Sequence, residues 1–220
     1  MSIRNLALST AGALTTRAAL RAIRAWPGSA RLDRTNYRGR TVTLAAGPAL
    51  AVGAATSAAA GARSLPTAGA ALVAGLGSGA VGFYDDVVGG RPEHKAKGFK
   101  GHLGALRQGR VTSGLVKIAG VGAAALTASA LLAADRPRRG RLGTAVDVAL
   151  GAGVIAGTAN LFNLLDLRPG RAIKAGTLVA GPLAVGSVGG LVAGPVGAAT
   201  AILPDDLDEQ VMLGDAGANA

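Results

Sequence analysis

The chain has 220 residues, of which half are hydrophobic and 16% are charged, with a formal net charge of +11 and no cysteine. The lack of cysteine excludes disulfides, thiolate metal ligands and cysteine nucleophiles. The basic excess does not indicate nucleic-acid binding, because Lys and Arg lie in short segments between apolar runs, without interleaved aromatic residues for base stacking.

An apolar run at residues 5–16 comes first in the chain. As a helix it would be about 18 Å long, which is too short to span a bilayer unless Arg17 and Arg21 reach the interface. It is therefore either a first crossing or a surface helix. A basic loop at residues 26–40 follows it.

Four longer stretches with almost no charge approach or exceed the roughly 20 apolar residues that cross a bilayer. They predict two helical hairpins, with a tight turn at residues 63–65 and a loop at residues 135–141. The stretches show no polar face at a period of 3.6 residues, which disfavours the alternative of a soluble Ala- and Gly-rich protein. They are residues 41–62, 66–84, 111–134 and 144–165.

A last apolar stretch, residues 175–203, would be about 44 Å long as a helix, less than two crossings of about 30 Å require. It predicts two short or tilted helices, broken near residues 190–195. The expected fold is all-α, a single membrane-embedded domain over residues 1–220 that forms a polytopic transmembrane bundle of about six or seven crossings. Membrane lipid is therefore an expected partner, and nucleic acid is not.

The distribution of basic residues predicts the orientation of the bundle. The loops at residues 24–40, 85–110 and 166–174 carry 14 Lys and Arg residues, whereas those at 61–65 and 135–141 carry 5. By the positive-inside rule, the first group is cytoplasmic. We expect a multi-pass protein of the inner (plasma) membrane.

The first polar motif ends an apolar stretch with two adjacent carboxylates, Asp85 and Asp86, and the following loop contains Lys97 and Lys100. Mg²⁺ is commonly bound by one or two carboxylates together with substrate phosphates. The alternative is an ordinary polar helix end exposed to water.

The second motif places Asn160, Asn163 and Asp166 at intervals of three, roughly along one side of a helix. Such polar groups are costly in lipid, so we expect them to face a polar cavity. Hydrogen bonding between helices is the open alternative.

The third motif is a Leu-Gly-Asp-Ala-Gly segment in which glycines flank Asp215. Small neighbours allow the backbone to approach a ligand closely, although a single Gly-Asp pair is more often a turn. An even number of crossings between the motifs places all three on one membrane face.

In this order, the three motifs resemble those of the family that contains phospho-N-acetylmuramoyl-pentapeptide transferase and the polyprenyl-phosphate N-acetylhexosamine-1-phosphate transferases. The resemblance covers about residues 36–220. It implies Mg²⁺-dependent transfer of a sugar-1-phosphate from a UDP-sugar to a polyprenyl phosphate, with release of UMP at the cytoplasmic face, in the synthesis of cell-envelope polymers.

The resemblance also implies roles for individual residues. Asp85 and Asp86 are the expected catalytic pair, Asp86 and Asp215 the expected Mg²⁺ ligands. The remaining motif residues are expected to bind substrate: Lys97, Lys100, Asn160, Asn163 and Asp166.

Two departures from the family pattern leave alternatives open. A Leu-Arg-Pro-Gly-Arg segment follows Asp166 where the family has Gly-x-x-Gly, and the family continues past the Gly-Asp motif, so we expect the sequence to be incomplete at its C-terminal end. The rival function is a catalytically silent homologue that binds the lipid carrier or scaffolds envelope enzymes. A transporter is disfavoured because the carboxylates lie at segment ends. The choice between a monomer and a homodimer stays open.

Overall fold

The protein is mostly helical, which confirms the predicted all-α class. The structure, a computed structural model, describes residues 1–89, 98–137 and 140–220, apart from the side chains of residues 98–100, 102 and 103. The helices in these ranges are α1 (Ile3–Ala25), α2 (Ala46–Gly61), α3 (Leu65–Leu72), α4 (Ser78–Val88), α5 (Gly98–Arg107), α6 (Ser113–Ala134), α7 (Arg141–Leu165), α8 (Arg171–Leu183), α9 (Gly189–Leu207) and α10 (Gly214–Asn219).

A π-helical turn, Val73–Gly77, joins α3 to α4, so that Leu65–Val88 forms one helix of 24 residues. Ser64 caps its start by accepting the backbone N–H of Thr67. The helix extends four residues beyond the apolar stretch predicted at residues 66–84. It thereby carries both carboxylates of the first motif in its last turns.

Three helices are long and apolar enough to cross a membrane: Leu65–Val88, Ser113–Ala134 and Arg141–Leu165. Only 11% of the most apolar part of α7 is buried, and 28% of that of each of the other two. Exposed apolar side chains on such helices are what a lipid environment favours. The predicted hairpin of residues 111–134 and 144–165 corresponds to α6 and α7.

Helices α1, α2 and α9 pack closely together through small residues. At one crossing, a Cβ added to Gly12 of α1 would lie 2.2 Å from the carbonyl oxygen of Gly194 of α9 and 3.1 Å from the hydroxyl of Ser57 of α2. Larger side chains would separate the three helices. Helix α1 is also longer than the apolar run at residues 5–16, because it continues through Arg17 and Arg21.

The last apolar stretch does form two helices, α8 and α9, but the predicted position of the break is wrong. The break lies at residues 184–188, and Pro195 is inside α9. The chain turns where Gly186 and Ser187 follow Pro182, and the N–H of Gly186 bonds to the carbonyl of Leu183. Gly and Ser favour such turns.

A two-stranded antiparallel hairpin occupies part of the segment predicted as a basic loop. Strands β1 (Asp33–Thr35) and β2 (Thr41–Thr43) pair with Arg34 opposite Val42. Asn36 shapes the turn, because its side-chain oxygen accepts the N–H groups of Arg38 and Arg40 at 2.9 and 3.0 Å.

The hairpin also fixes the segment that precedes α10. The carbonyl of Thr43 accepts the N–H of Met212 at 3.0 Å, and Thr43 forms a parallel bridge with Val211. Val211 and Leu213 are each 2% exposed and belong to the main core, with Leu20 of α1, Leu50 of α2, Ile173 of α8 and Ile202 of α9. This core holds the start of α10 against the end of α4.

Candidate active site

Asp86 caps the N-terminus of α10. Its two carboxylate oxygens accept the backbone N–H groups of Asp215 and Ala216 at 2.8 and 2.9 Å. These N–H groups have no partner within the helix, and the positive end of its dipole favours a carboxylate there. The first and third motifs, 129 positions apart in sequence, therefore meet directly.

Two glycines permit this approach. Gly214 has a φ of +58°, and a Cβ there would lie 2.8 to 2.9 Å from the Asp86 oxygens. A Cβ at Gly82 of α4 would lie 2.2 Å from the carbonyl oxygen of Asp215. Gly214 thus makes room for the carboxylate of Asp86, and Gly82 makes room for the backbone of Asp215.

Lys117 joins the other two carboxylates of the cluster. Its ammonium nitrogen lies 2.7 Å from Oδ2 of Asp215 and 3.0 Å from Oδ2 of Asp85. The three side chains are largely buried, with 26%, 26% and 14% of their surfaces exposed for Lys117, Asp215 and Asp85. We call Asp85, Asp86, Lys117 and Asp215 the acidic cluster.

The sequence interpretation missed Lys117. It lies in the second turn of α6 and is the single charged residue of Ser113–Ala134. A lone ionisable residue within an apolar span is itself a signal of function, because burying it in lipid is costly.

The second motif is divided between two sites. Asn160 and Asn163 line a cavity of about 240 Å³ between α6 and α7, which we call the amide cavity, together with Lys117. Asp166, the C-cap of α7, instead lines a cavity of about 410 Å³ beside the hairpin, as does Asp86. The spacing of three does not bring all three side chains to one cavity.

An amide pair connects the second motif to α10. The side-chain N–H of Asn163 donates to the side-chain oxygen of Asn219. Asn219 is 7% exposed, and its own Nδ2 has no hydrogen-bond partner in the described part of the chain. A buried donor without a partner is costly, so this group is a candidate to bind a ligand oxygen.

The cavity of about 410 Å³, here the hairpin cavity, has a charged and partly aromatic lining. Arg34 of β1 donates to the backbone carbonyl of Asp86 at 2.8 Å. The guanidinium of Arg168 lies 4.6 Å from the centre of the Tyr37 ring, which joins the hairpin turn to the loop after α7. The hairpin cavity therefore reaches the acidic cluster through Asp86.

The pKa of Asp166, beside the hairpin cavity, is well above its usual range. Burial raises the pKa of Asp166 to about 8, and the negative charge of Asp206 adds to the increase. The carboxylate of Asp206 accepts the N–H of Gly170 at 2.6 Å. In the acidic cluster, burial raises the pKa of Asp215, and its contact with Asp85 acts in the same direction.

A third cavity, of about 390 Å³, is almost entirely apolar, and we call it the apolar cavity. It lies between α2, α7, α8 and α9, and Asn219 of α10 also lines it. Larger side chains in its lining include Leu50, Val154, Phe162 and Ile173.

The acidic cluster has a donor set that suits a divalent cation. Oδ2 of Asp85 and Oδ2 of Asp215 converge on one ammonium group, which stands in for a cation, and Mg²⁺ is often bound by two carboxylates and substrate phosphates. No group of three or more His, Asp or Glu residues that could hold a metal occurs among the described residues. The predicted metal pair, Asp86 and Asp215, stays a prediction; both oxygens of Asp86 accept backbone N–H groups.

Two expected substrate-binding residues are not placed by this geometry. Lys97 lies outside the described residues, and Lys100 is in α5, where only its backbone is described. Their roles stay predictions.

No protein-family model matches the chain, and no curated protein matches it.

Proposed function

We propose that the protein transfers a sugar-1-phosphate from a UDP-sugar to a polyprenyl phosphate, with Mg²⁺ as cofactor, in the synthesis of cell-envelope polymers. The observation that supports this most is the meeting of the motif pair Asp85–Asp86 with Asp215 at the end of a helix able to cross a membrane. The order of the motifs favours phosphoryl transfer over other chemistry of buried carboxylates.

The proposed setting is the plasma membrane, with the acidic cluster at the cytoplasmic face and about six or seven crossings. Three helices have the required length and composition. The further crossings would come from α1, α2 and the α8–α9 pair. Helix α2 has 16 residues and is about 24 Å long, so it would have to lie nearly perpendicular to the membrane or thin the bilayer. The excess of Lys and Arg in the loops on the motif side supports this orientation.

In the proposed reaction, a phosphate oxygen of the lipid attacks the phosphorus that carries the sugar. A new P–O bond forms, the bond between the two phosphates of the UDP-sugar breaks, and UMP leaves with that bridging oxygen. The substrates bring several negative charges together, and Mg²⁺ held by Asp85 and Asp215 would offset their repulsion. Asp86 keeps Asp215 in place through the cap on α10.

The apolar cavity supports a lipid substrate. It is lined by Leu50, Val154 and Phe162 and by Asn219, whose Nδ2 has no partner among the described residues. We assign the phosphate-proximal isoprene units to this cavity, with a phosphate oxygen near Nδ2 of Asn219. Asn160 and Asn163 would bind oxygens of the same phosphates or of the sugar from the amide cavity.

The hairpin cavity supports a nucleotide substrate. The Tyr37 ring offers a surface on which a base can stack, and Arg34 and Arg168 supply positive charge beside it. Asp166 would accept a hydrogen bond from the nucleotide. Lys97 and Lys100 are proposed to bind phosphates.

The rival function, a silent homologue that binds the lipid carrier, is supported by one feature. Lys117 already neutralises part of the charge of Asp85 and Asp215, so the acidic cluster is stable without a metal. This candidate predicts binding of polyprenyl phosphate without turnover.

A direct assay separates the two functions. The purified protein is incubated in detergent with Mg²⁺, polyprenyl phosphate and a panel of UDP-sugars, and UMP release is measured. We expect release with at least one UDP-sugar, its loss in EDTA and its loss in Asp215→Asn. The control is Asp208→Asn, which removes an exposed carboxylate near the end of α9 and should retain activity. No release with any sugar, despite binding of polyprenyl phosphate, would favour the silent homologue.

A further inference from the structure

Lys117 occupies the position between two carboxylates that a bound metal would need. Its ammonium is within 3.0 Å of Oδ2 of both Asp85 and Asp215, so these oxygens are directed at a single point. Mg²⁺ binds oxygen at about 2.1 Å. An ion that touched both oxygens would lie within contact distance of the lysine nitrogen.

Charge as well as space prevents the Lys117 ammonium and a divalent metal ion from binding Asp85 and Asp215 at the same time. Asp85 and Asp215 together carry two negative charges when ionised, and the ammonium offsets one of them. A divalent ion at the point where these oxygens meet would lie beside the ammonium, and the two cations would repel each other in a site that is largely shielded from water.

We propose that Lys117 is an exchangeable counter-ion: it holds Asp85 and Asp215 together in the metal-free protein and leaves them when a divalent cation binds. This inference rests on the proposed function for the identity of the metal site. It adds what holds the two carboxylates in position before the metal binds. The lysine stem also lines the amide cavity, beside Asn160, Asn163 and Asn219. The released ammonium therefore has a cavity with three amide groups to move to, where it can bind an anionic ligand.

The first test uses the wild-type protein, so that no substitution can impair folding. The metal-free protein and the protein with excess Mg²⁺ or Mn²⁺ are treated with an amine-acylating reagent, and modification of each lysine is followed by mass spectrometry. An ammonium held by two carboxylates reacts slowly. We expect metal to increase the acylation rate of Lys117 several-fold and to leave that of Lys174, which is exposed on α8, unchanged.

An unchanged or slower reaction of Lys117 in the presence of metal would overturn the proposal. Equal acceleration of Lys117 and Lys174 would also overturn it, because the metal would then be acting on the whole protein rather than at the acidic cluster.

The second test measures Mn²⁺ binding without substrate, by electron paramagnetic resonance. Lys117→Met keeps an unbranched side chain, one heavy atom shorter than that of lysine, and removes the competing charge, so Mn²⁺ should bind roughly tenfold or more tightly than in wild type. The matched control, Lys174→Met, changes the net charge equally and should alter the affinity less than about twofold. Equal or weaker Mn²⁺ binding by Lys117→Met would overturn the proposal.

Thermal stability supplies a readout of the other half of the exchange. In EDTA, Lys117→Met should unfold at a lower temperature than wild type, because Asp85 and Asp215 lose their counter-ion. Mn²⁺ should bring the unfolding temperature of the variant back to that of wild type. A variant that stays less stable in Mn²⁺ would contradict the exchange.

The UMP-release assay is read separately. Tighter Mn²⁺ binding by Lys117→Met in a protein that releases no UMP would support the exchange and refute the transferase function. UMP release together with an unchanged Mn²⁺ affinity of Lys117→Met would support the transferase function and refute the exchange.

Discussion

Asp86 and Asp215 are 129 positions apart in sequence, yet a carboxylate oxygen of Asp86 accepts the backbone N–H of Asp215 at 2.8 Å. The contact makes the position of the Asp215 side chain depend on α4, the last part of the helix Leu65–Val88, which is long and apolar enough to cross a membrane. Asp86 therefore has a structural role, which is to hold the start of α10, in addition to the predicted catalytic role. Measurements of stability and of UMP release distinguish the two roles.

Asp86→Asn should lower the stability of the protein. The amide has one acceptor oxygen and directs an N–H group at the start of α10, so one charge-assisted hydrogen bond is lost, with a cost of about 2 kcal/mol. Thermal unfolding in detergent measures the effect, with Asp208→Asn as the exposed control. An unchanged unfolding temperature would show that the cap contributes nothing.

Asp85→Asn and Asp215→Asn should have strongly non-additive effects on stability. Either change leaves Lys117 with one carboxylate, and the second change then removes only what remains of the same ion-pair network. A double-mutant cycle measured by thermal unfolding gives the coupling. The parallel cycle with Asp208→Asn in place of Asp85→Asn should be additive within about 0.5 kcal/mol, and additivity in both would exclude a shared site.

Gly82→Ala should displace α10. The added Cβ would lie 2.2 Å from the carbonyl oxygen of Asp215, and this backbone cannot move without disturbing the cap. We expect a loss of about 1 to 3 kcal/mol in stability and a large loss of UMP release. Gly122→Ala on α6 is the matched control, because a Cβ there meets nothing within 4 Å. Equal behaviour of the two variants would contradict the close approach of α4 and α10.

The raised pKa of Asp166 predicts how stability depends on pH in metal-free buffer. The folded protein retains a proton up to about pH 8 that the unfolded chain releases near 3.8. The stability due to this proton is therefore fully present below about pH 3.8 and is lost as the pH rises through 8. The unfolding temperature of wild type should decrease between pH 5 and pH 9. In Asp166→Asn this decrease should be smaller, because the amide does not titrate. An identical decrease in both proteins would exclude Asp166 as its source.

Cysteine labelling tests the orientation in the membrane. The chain has no natural cysteine, so single cysteines can be introduced without background. Substitutions at Gln108 and Asp208, both exposed, should be labelled only from the cytoplasmic side, and one at Gly140, at the start of α7, only from outside. Labelling of Gln108 and Gly140 from the same side would refute the helical hairpin as a membrane crossing.

The meeting of the first and third motifs could be foreseen from the sequence, because long apolar stretches limit where the polar segments between them can lie. Counting stretches placed Asp86 and Asp215 on one face, and the structure brings them into contact. Whether they share a cation stays a prediction. Position on a face says nothing about which atoms meet, so the N-cap on α10 could not be predicted.

Two parts of the site were not predicted, for different physical reasons. Lys117 is a single charge in an apolar run, and its partners come from elements 32 and 98 positions away, which no local pattern shows. Strands β1 and β2 have three residues each, too few for an alternating pattern. They are stabilised by pairing with residues near Val211 rather than by their own propensity.

The wrong position of the break between α8 and α9 also has a physical cause. Gly190 lies in the first turn of α9, where the backbone N–H groups need no intrahelical acceptor. Pro195 lies in the second turn, where it removes one intrahelical hydrogen bond without ending the helix. The turn forms instead at Gly186 and Ser187.

The separation of Lys117 from Asp215 has a consequence for how the protein is made. Ninety-eight positions lie between them, which at about 5 to 20 residues per second corresponds to roughly 5 to 20 s of translation. During that time α4 and α6 are already synthesised, and Asp85 is the one cluster partner of Lys117 that exists. Pairing of these two charges would lower the cost of inserting both helices into a membrane. Asp215 is the last of the three side chains to be synthesised, and it would join a pair of charges that is already formed.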